Sequence, residues 1–202
     1  MNHRPDDLVT LFNRLFQQST GTELVRGGDE PEYLPAGVAG DYAQVIFAHG
    51  YFASALHEIS HWCIAGERRR QLPDYGYWYC PDGRTSEQQR SFEQVEVRPQ
   101  AIEWLFATAC GSRFHISVDN LDGGGAIDEG GFRRNVFRQA CRYLDHGLPA
   151  RAEQFLESLM AFYGTGPEDF CRWREEHLWL ADESHRPPHH FTTQSEAYDA
   201  SS

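Results

Sequence analysis

The chain contains no lysine: all 18 of its basic residues other than histidine are arginine. That excludes any lysine-based chemistry. Positive charge as a whole is scarce, with 30 acidic residues against those 18 and a formal net charge of −12. Such a balance argues against non-specific binding to nucleic acid or to an anionic membrane surface. No apolar run approaches the ~18 residues that a membrane-spanning helix needs. The opening residues, Met1 to Asp7, have no apolar segment of the signal-peptide kind, so no secretory signal is expected. Paired cysteines are missing too. The five present (Cys63, Cys80, Cys110, Cys141 and Cys171) are odd in number and form no C-x-x-C. They fit reduced thiols in a cytoplasmic protein better than a disulfide framework. Neither an internal repeat nor a Gly-rich phosphate loop is visible.

What remains is a chain rich in apolar and aromatic residues, 40% and 13% respectively over 202 residues, enough for one substantial core. Residues 6–18 carry Leu8, Leu11, Phe12, Leu15 and Phe16 on one helical stripe, behind Asp6 and Asp7. Residues 27–36 read as an acidic, turn-rich loop, and Ala43 to Phe47 as a short buried strand. Tyr75 to Arg84 reads as an aromatic strand with a Pro-Asp-Gly turn, and Phe92 to Phe106 as a helix with Pro99 in its first turn or kinking it. A strand over 114–118, a loop over 119–125 and helices over 131–146, 150–163 and 167–180 follow. From Asp182 the composition turns polar. Residues 1–182 are therefore expected to form a single domain, and 183–202 a disordered tail in which His189 and His190 are poor ligand candidates.

The chemistry concentrates between Ala48 and Trp62. His57-Glu58-Ile59-Ser60-His61 is an H-E-x-x-H run. Phe52, Leu56, Ile59 and Trp62 recur around it at helical spacing, with small Ala53, Ser54 and Ala55 between them. On a helix, residues four apart have Cβ atoms ~5–6 Å apart on one face, so two imidazoles can close on a single metal ion. Two unpaired imidazoles inside an apolar segment would otherwise be costly to bury. Glu58 lies beside them as a base or a supporting group. The helix is expected to run through Ala65 and stop at Gly66.

At least one more protein ligand is needed. Glu67 stands at the spacing used by metzincins, but Ile64 replaces the glycine that would break the helix there. In a continuing helix Glu67 points roughly 240° away from His61. The better source is a second, crossing helix. Glu93 and Glu96 sit at the entrance to an apolar helix over 97–111, Glu96 between two valines and so the more readily drawn inward; Glu103 is the fallback. Two histidines and a glutamate suit zinc, with Glu58 as the general base of a metallopeptidase. They equally suit iron(II) in an oxygen-activating site. A non-catalytic, metal-stabilised partner of the translation machinery is a third reading.

Several stretches together resemble the bacterial elongation factor P hydroxylase family. They are Gly28 to Pro31, Phe47 to Gly50, His57 to Gly66, Gly76 to Arg84, Phe92 to Phe106 and Asp119-Asn120-Leu121. The similarity runs in order from about residue 7 to 180. The resemblance implies an α+β domain with its H-E-x-x-H helix packed on a small mixed sheet and surrounding helices. It also implies a non-heme, iron-type hydroxylase acting on the lysine of elongation factor P to which another enzyme has attached a β-lysyl group. By matching position, His57, His61 and Glu96 are the ligands of iron(II), with zinc or another divalent metal as the substitute. On that reading Glu58 is a catalytic-site residue without a compulsory task, and His49 supports the ligands from outside. Asp29 and Glu30 attract the cationic substrate, and Tyr77, Trp78 and Tyr79 wall its pocket. The polar C-terminus after about residue 182 departs from the family pattern.

Overall fold

The computed structural model describes residues 3–38, 40–76, 85–117 and 128–181. A three-stranded mixed sheet is built from β1 (Thr22–Arg26), β2 (Glu32–Leu34) and β3 (Ala43–Phe47). β3 lies in the middle, parallel to β1 and antiparallel to β2, with Leu24 opposite Val45 and Tyr33 opposite the same valine on the other side. Ala43, Val45 and Phe47 are buried, whereas Gln44 and Ile46 between them are only half-buried, as a strand covered mainly on one face requires. Gly27 closes this end of the sheet. Its N–H donates to the Phe47 carbonyl at 3.0 Å, and a Cβ there would run into the Ile46 side chain, so glycine suits the close approach.

Helix α1 (Pro5–Thr20) has Pro5 in its first turn, where a missing N–H costs nothing, and buries Leu8, Leu11, Phe12 and Phe16. α2 (Phe52–Ile64) follows β3 after a short 3₁₀ turn at 48–50 and buries Ala55, Leu56, Ile59, Trp62 and Cys63. Each large apolar side chain removed from water in this way is worth about 1.5–3 kcal/mol. Trp62 is the hinge of the core, meeting Phe12 and Phe16 of α1 with ring centres 4.9 and 4.8 Å apart. α3 (Ser86–Cys110) crosses α2 and in turn carries α4 (Glu129–His146), α5 (Ala150–Tyr163) and α6 (Pro167–Glu176). The architecture is α+β, with the H-E-x-x-H helix between the sheet and the other helices. Among the described residues, no helix is long and apolar enough to cross a membrane.

Several boundaries differ from the sequence reading. The acidic loop contains β2, a strand of three residues whose Tyr33 is pinned from outside the sheet. β1 carried no sequence assignment. The central helix ends at Ile64 with Ala65 already extended, and the terminator is an arginine rather than Gly66. Arg151 of α5 donates to the carbonyls of Trp62, Cys63 and Ala65 at 2.8, 3.1 and 2.6 Å and lies over the Trp62 ring. It supplies donors to carbonyls that a helix end leaves bare.

α3 starts at Ser86, well before the expected entrance, on a capping box in which Thr85 and Gln88 satisfy each other's backbone N–H groups. Pro99 is therefore in its interior. Residues 112–117 form no strand; this segment is extended coil held to α3 by Gln100, which donates to the Ser117 carbonyl and accepts from its N–H. Tyr75 and Gly76 belong to a 3₁₀ turn (Pro73–Gly76) instead of a strand, and the last expected helix ends at Glu176, with a short turn at 178–180 beyond it. The rest of the aromatic stretch, 77–84, the loop 119–125 and the tail 183–202 lie outside the described residues.

Candidate metal centre

The site is made where α2 and α3 cross. His57 and His61, four residues apart, bring their Nε2 atoms to 3.1 Å, with ring centres 4.7 Å apart. Facing them on α3 are Glu96, Gln100 and Glu103, which share one helical face at i, i+4 and i+7. All three are buried, 3%, 1% and 8% exposed, in a helix whose neighbouring positions Ala101, Ile102 and Leu105 are pure core. A buried polar stripe of this kind is expensive unless every member has a partner.

The partners divide cleanly. Glu96 Oε1 lies 3.3 Å from His61 Nε2, and Oε2 lies 3.8 Å from His57 Nε2. Gln100 Nε2 donates to the same carboxylate at 3.4 Å while its other bonds tie down Ser117. Glu103 approaches His57 from behind and accepts from Nδ1–H at 2.8 Å. That bond fixes the tautomer of the neutral ring and directs Nε2 toward Glu96 and His61, where a metal would displace its proton, the arrangement in which a carboxylate orients a metal-binding imidazole.

Among the described residues, His57, His61 and Glu96 are the one group of three such donors lying within 4.8 Å of one another. Their spacing fits a transition metal. Two nitrogens each about 2.1 Å from one ion, at roughly a right angle, stand about 3.0 Å apart, close to the 3.1 Å found between the imidazoles. Two imidazoles and one carboxylate on one side suit either zinc or iron(II).

The electrostatics say the same thing in protons. Burial opposes charge on His57, but the Glu103 carboxylate, with Glu96 and Glu58 behind it, overrides this and raises its pKa from 6.5 to about 10. Burial likewise opposes charge on Glu96, yet His61 and His57 hold its carboxyl down at about 2. Without a metal, the cluster keeps a proton on His57 and a negative charge on Glu96. A divalent cation would take over the role of that proton. Burial pushes the Glu58 carboxyl up despite the two histidines beside it, and Glu58 is not a member of the donor group.

Beside His61 a cleft of about 720 Å³ opens between the end of α2, the turns at 69–76 and the 94–98 stretch of α3. Its walls include Ile64, Ala65, Glu67, Tyr75 and Val95. Glu67 is exposed on that wall and is not a member of the donor group, although the reason is the end of α2 at Ile64 and not a helical angle. Glu93 is half-buried one turn before Glu96 and is not a member either. Glu103, the fallback ligand, binds the far side of His57 instead. No sequence signal separated its task from that of Glu96, because both occupy one face of α3.

The remaining expected site residues fall elsewhere. Asp29 is 97% exposed in its side chain and lies 3.8 Å from the exposed His49, whose other described neighbour is the Tyr51 ring. His49 has a left-handed backbone (φ 54°) at the turn between β3 and α2. Glu30 is exposed next to Asp29. Tyr77, Trp78 and Tyr79 lie outside the described residues.

With this geometry in view, the comparison with known proteins is direct. The profile of the family described as Elongation factor P hydroxylase matches residues 11–171. The chain belongs to that family. A curated relative from Haemophilus influenzae, named Elongation factor P lysine hydroxylase, is 50% identical over 165 residues, covering 82% of this chain and 92% of the relative. The matched span of the hydroxylase family contains His57, His61 and Glu96, the acids Glu58 and Glu103 beside them, and the turn at 73–76.

Proposed function

We propose that this chain hydroxylates the β-lysylated lysine of elongation factor P in the cytoplasm, with residues 1–182 as the working domain. The observation that carries the reading is the donor group of half-buried His57 and His61 with buried Glu96 at the side of an open cleft, in a member of the elongation factor P hydroxylase family. These three residues would hold iron(II), which when bound supplies the one-electron chemistry that dioxygen activation needs and that zinc lacks.

The protein residues do the rest. Glu103 keeps His57 in one tautomer and one orientation. Gln100 steadies the Glu96 carboxylate and fastens the Ser117 backbone to α3. Glu58, half-buried beside His57 and His61, holds a proton or a water near the reacting end of the substrate. Asp29 and Glu30, on an exposed turn at the end of the sheet, add negative potential toward an incoming cationic side chain, with His49 alongside them. Tyr77, Trp78 and Tyr79, which lie outside the described residues, are proposed as the aromatic groups on which that side chain stacks.

Metal reconstitution tests the chemistry. The metal-stripped protein is reloaded with iron(II) or with zinc and incubated aerobically with lysylated elongation factor P and a reductant. The reading predicts a product heavier by one oxygen from the iron form alone. Equal activity from the zinc form would overturn the iron assignment.

A further inference from the structure

The turn Pro73–Gly76 is built at a conformational cost that packing alone does not call for. Asp74 and Tyr75 are consecutive non-glycine residues with left-handed backbones, φ 46° and 57°. Single left-handed residues are disfavoured for L-amino acids, and two in succession persist only where their surroundings over-determine them. The surroundings do so here. Asp74 Oδ1 accepts from the Tyr33 N–H at 2.8 Å, and Arg69 donates to the Tyr75 carbonyl at 3.3 Å. The Tyr75 ring stacks on Tyr33 with centres 4.3 Å apart and planes 18° from parallel, and the Tyr33 hydroxyl donates to the Arg70 carbonyl. Three hydrogen bonds and one ring stack together hold the turn and the Tyr75 ring in place.

That ring lines the cleft shared with His61. Tyr75 is 5% exposed, and its buried hydroxyl has no hydrogen-bond partner among the described residues. A buried hydroxyl that the described residues leave without a partner has an unused hydrogen-bonding capacity, which is costly when nothing fills it. Its retention on a strained turn, beside a metal-ligand residue, makes sense if a ligand supplies the missing bond.

We propose that the Tyr75 hydroxyl is a substrate-binding group of the metal cleft, accepting a hydrogen bond from the terminal ammonium of the side chain that enters it. The inference rests on the functional reading above and names a residue that recognises its substrate. The ligand class follows from the charges around the phenol. Burial first, and then the Glu58 carboxylate, disfavour phenolate, so the oxygen stays a neutral acceptor in a negative setting. A primary ammonium has three N–H donors, one for Tyr75 and others for an acid such as Glu58. Arg68, Arg69 and Arg98 stand around the cleft, and Arg98 is drawn to the Tyr143 hydroxyl at 3.2 Å. An ammonium on a long aliphatic stem can pass these guanidiniums and bring its charge to the phenol, within the electrostatic reach of Glu58.

The test is Tyr75→Phe, which keeps the stacked ring and deletes only the oxygen. Steady-state hydroxylation of lysylated elongation factor P is measured for the iron(II)-loaded wild type and variant, with iron content and thermal midpoint. The expected result is KM raised about ten- to a hundredfold, as for a lost hydrogen bond to a charged group. kcat stays within about threefold, iron content is unchanged, and the midpoint is unchanged or higher because an unsatisfied hydroxyl has gone. A merely structural tyrosine would show the opposite split, a lower midpoint with KM intact, and would overturn the inference. Wild-type KM and midpoint in the variant would overturn it as well, while the functional reading stood. An inactive, iron-loaded wild type would overturn both.

Discussion

Changing Glu103 to glutamine separates the geometry of the metal centre from its charge. A glutamine oxygen can still accept from His57 Nδ1–H, which now bonds Glu103 at 2.8 Å, so the ring keeps its orientation while the carboxylate charge is lost. An outer carboxylate of this kind is worth about 10- to 100-fold in metal affinity, or about 1.4–2.7 kcal/mol. The same charge also has the opposite effect. With its pKa raised to about 10, His57 carries a proton at neutral pH, and a metal must displace it. Wild-type affinity should therefore rise up to about tenfold per pH unit through the neutral range. Glutamine removes the strongest influence holding that proton, so the variant's affinity should rise less steeply. The deficit then approaches its full value only toward pH 10 and shrinks as the pH falls. Competition between the protein and a zinc chelator from about pH 6 to 9 reads both slopes. Parallel curves for wild type and Glu103→Gln would refute the reasoning, because they would mean that Glu103 does not control the His57 proton.

Three other outcomes follow from the same contacts. Metal-free protein should be most stable between about pH 4.5 and 6.5 as far as this cluster is concerned. The raised pKa of His57 contributes stability that is complete below 6.5 and lost toward about 10, and the depressed pKa of Glu96 contributes stability that is complete above 4.5 and lost toward about 2. Urea midpoints across that range check it, and a metal-free protein still gaining stability from pH 7 to 9 would contradict it. Arg151→Met should cost about 2–3 kcal/mol, lowering the thermal midpoint by roughly 5–10 °C, because one guanidinium serves three carbonyls at the end of α2. A shift below about 2 °C would show that water caps that end equally well. Glu58→Gln should keep its metal and lose less than the ~100-fold in turnover expected on removing an obligatory general base, as mass spectrometry of the product would show.

The histidine pair was legible in the sequence because an i, i+4 spacing inside an apolar segment has one geometric meaning, and α2 realises it. The third donor was narrowed to α3 for a sound reason, the inward pull of the valines around Glu96, but on the wrong picture of the helix. The Thr85-to-Gln88 capping box, which announces a start at Ser86, was overlooked, so Glu96 was set at an entrance and not in the buried middle. Glu103 could not be given its task from spacing, since Glu96, Gln100 and Glu103 share one stripe and only the crossing of α2 decides which acid meets which nitrogen. β1 is short, with Thr22 and Leu24 the only buried positions, too weak a pattern to stand out between two glycines. Tyr75 was read with a strand because its neighbours are aromatic; its left-handed backbone depends on contacts from Tyr33 and Arg69 that are remote in sequence or invisible in local propensity.

The central claim is that His57, His61 and Glu96 together make the chain a hydroxylase of elongation factor P. Its most direct test is mass spectrometry of lysylated elongation factor P after aerobic incubation with the iron(II)-loaded protein and a reductant, run beside Glu96→Ala and Glu93→Ala. The account predicts a gain of one oxygen with the wild type and with Glu93→Ala, and none with a folded Glu96→Ala. No gain with folded, iron-loaded wild type, or a full gain with Glu96→Ala, would contradict it.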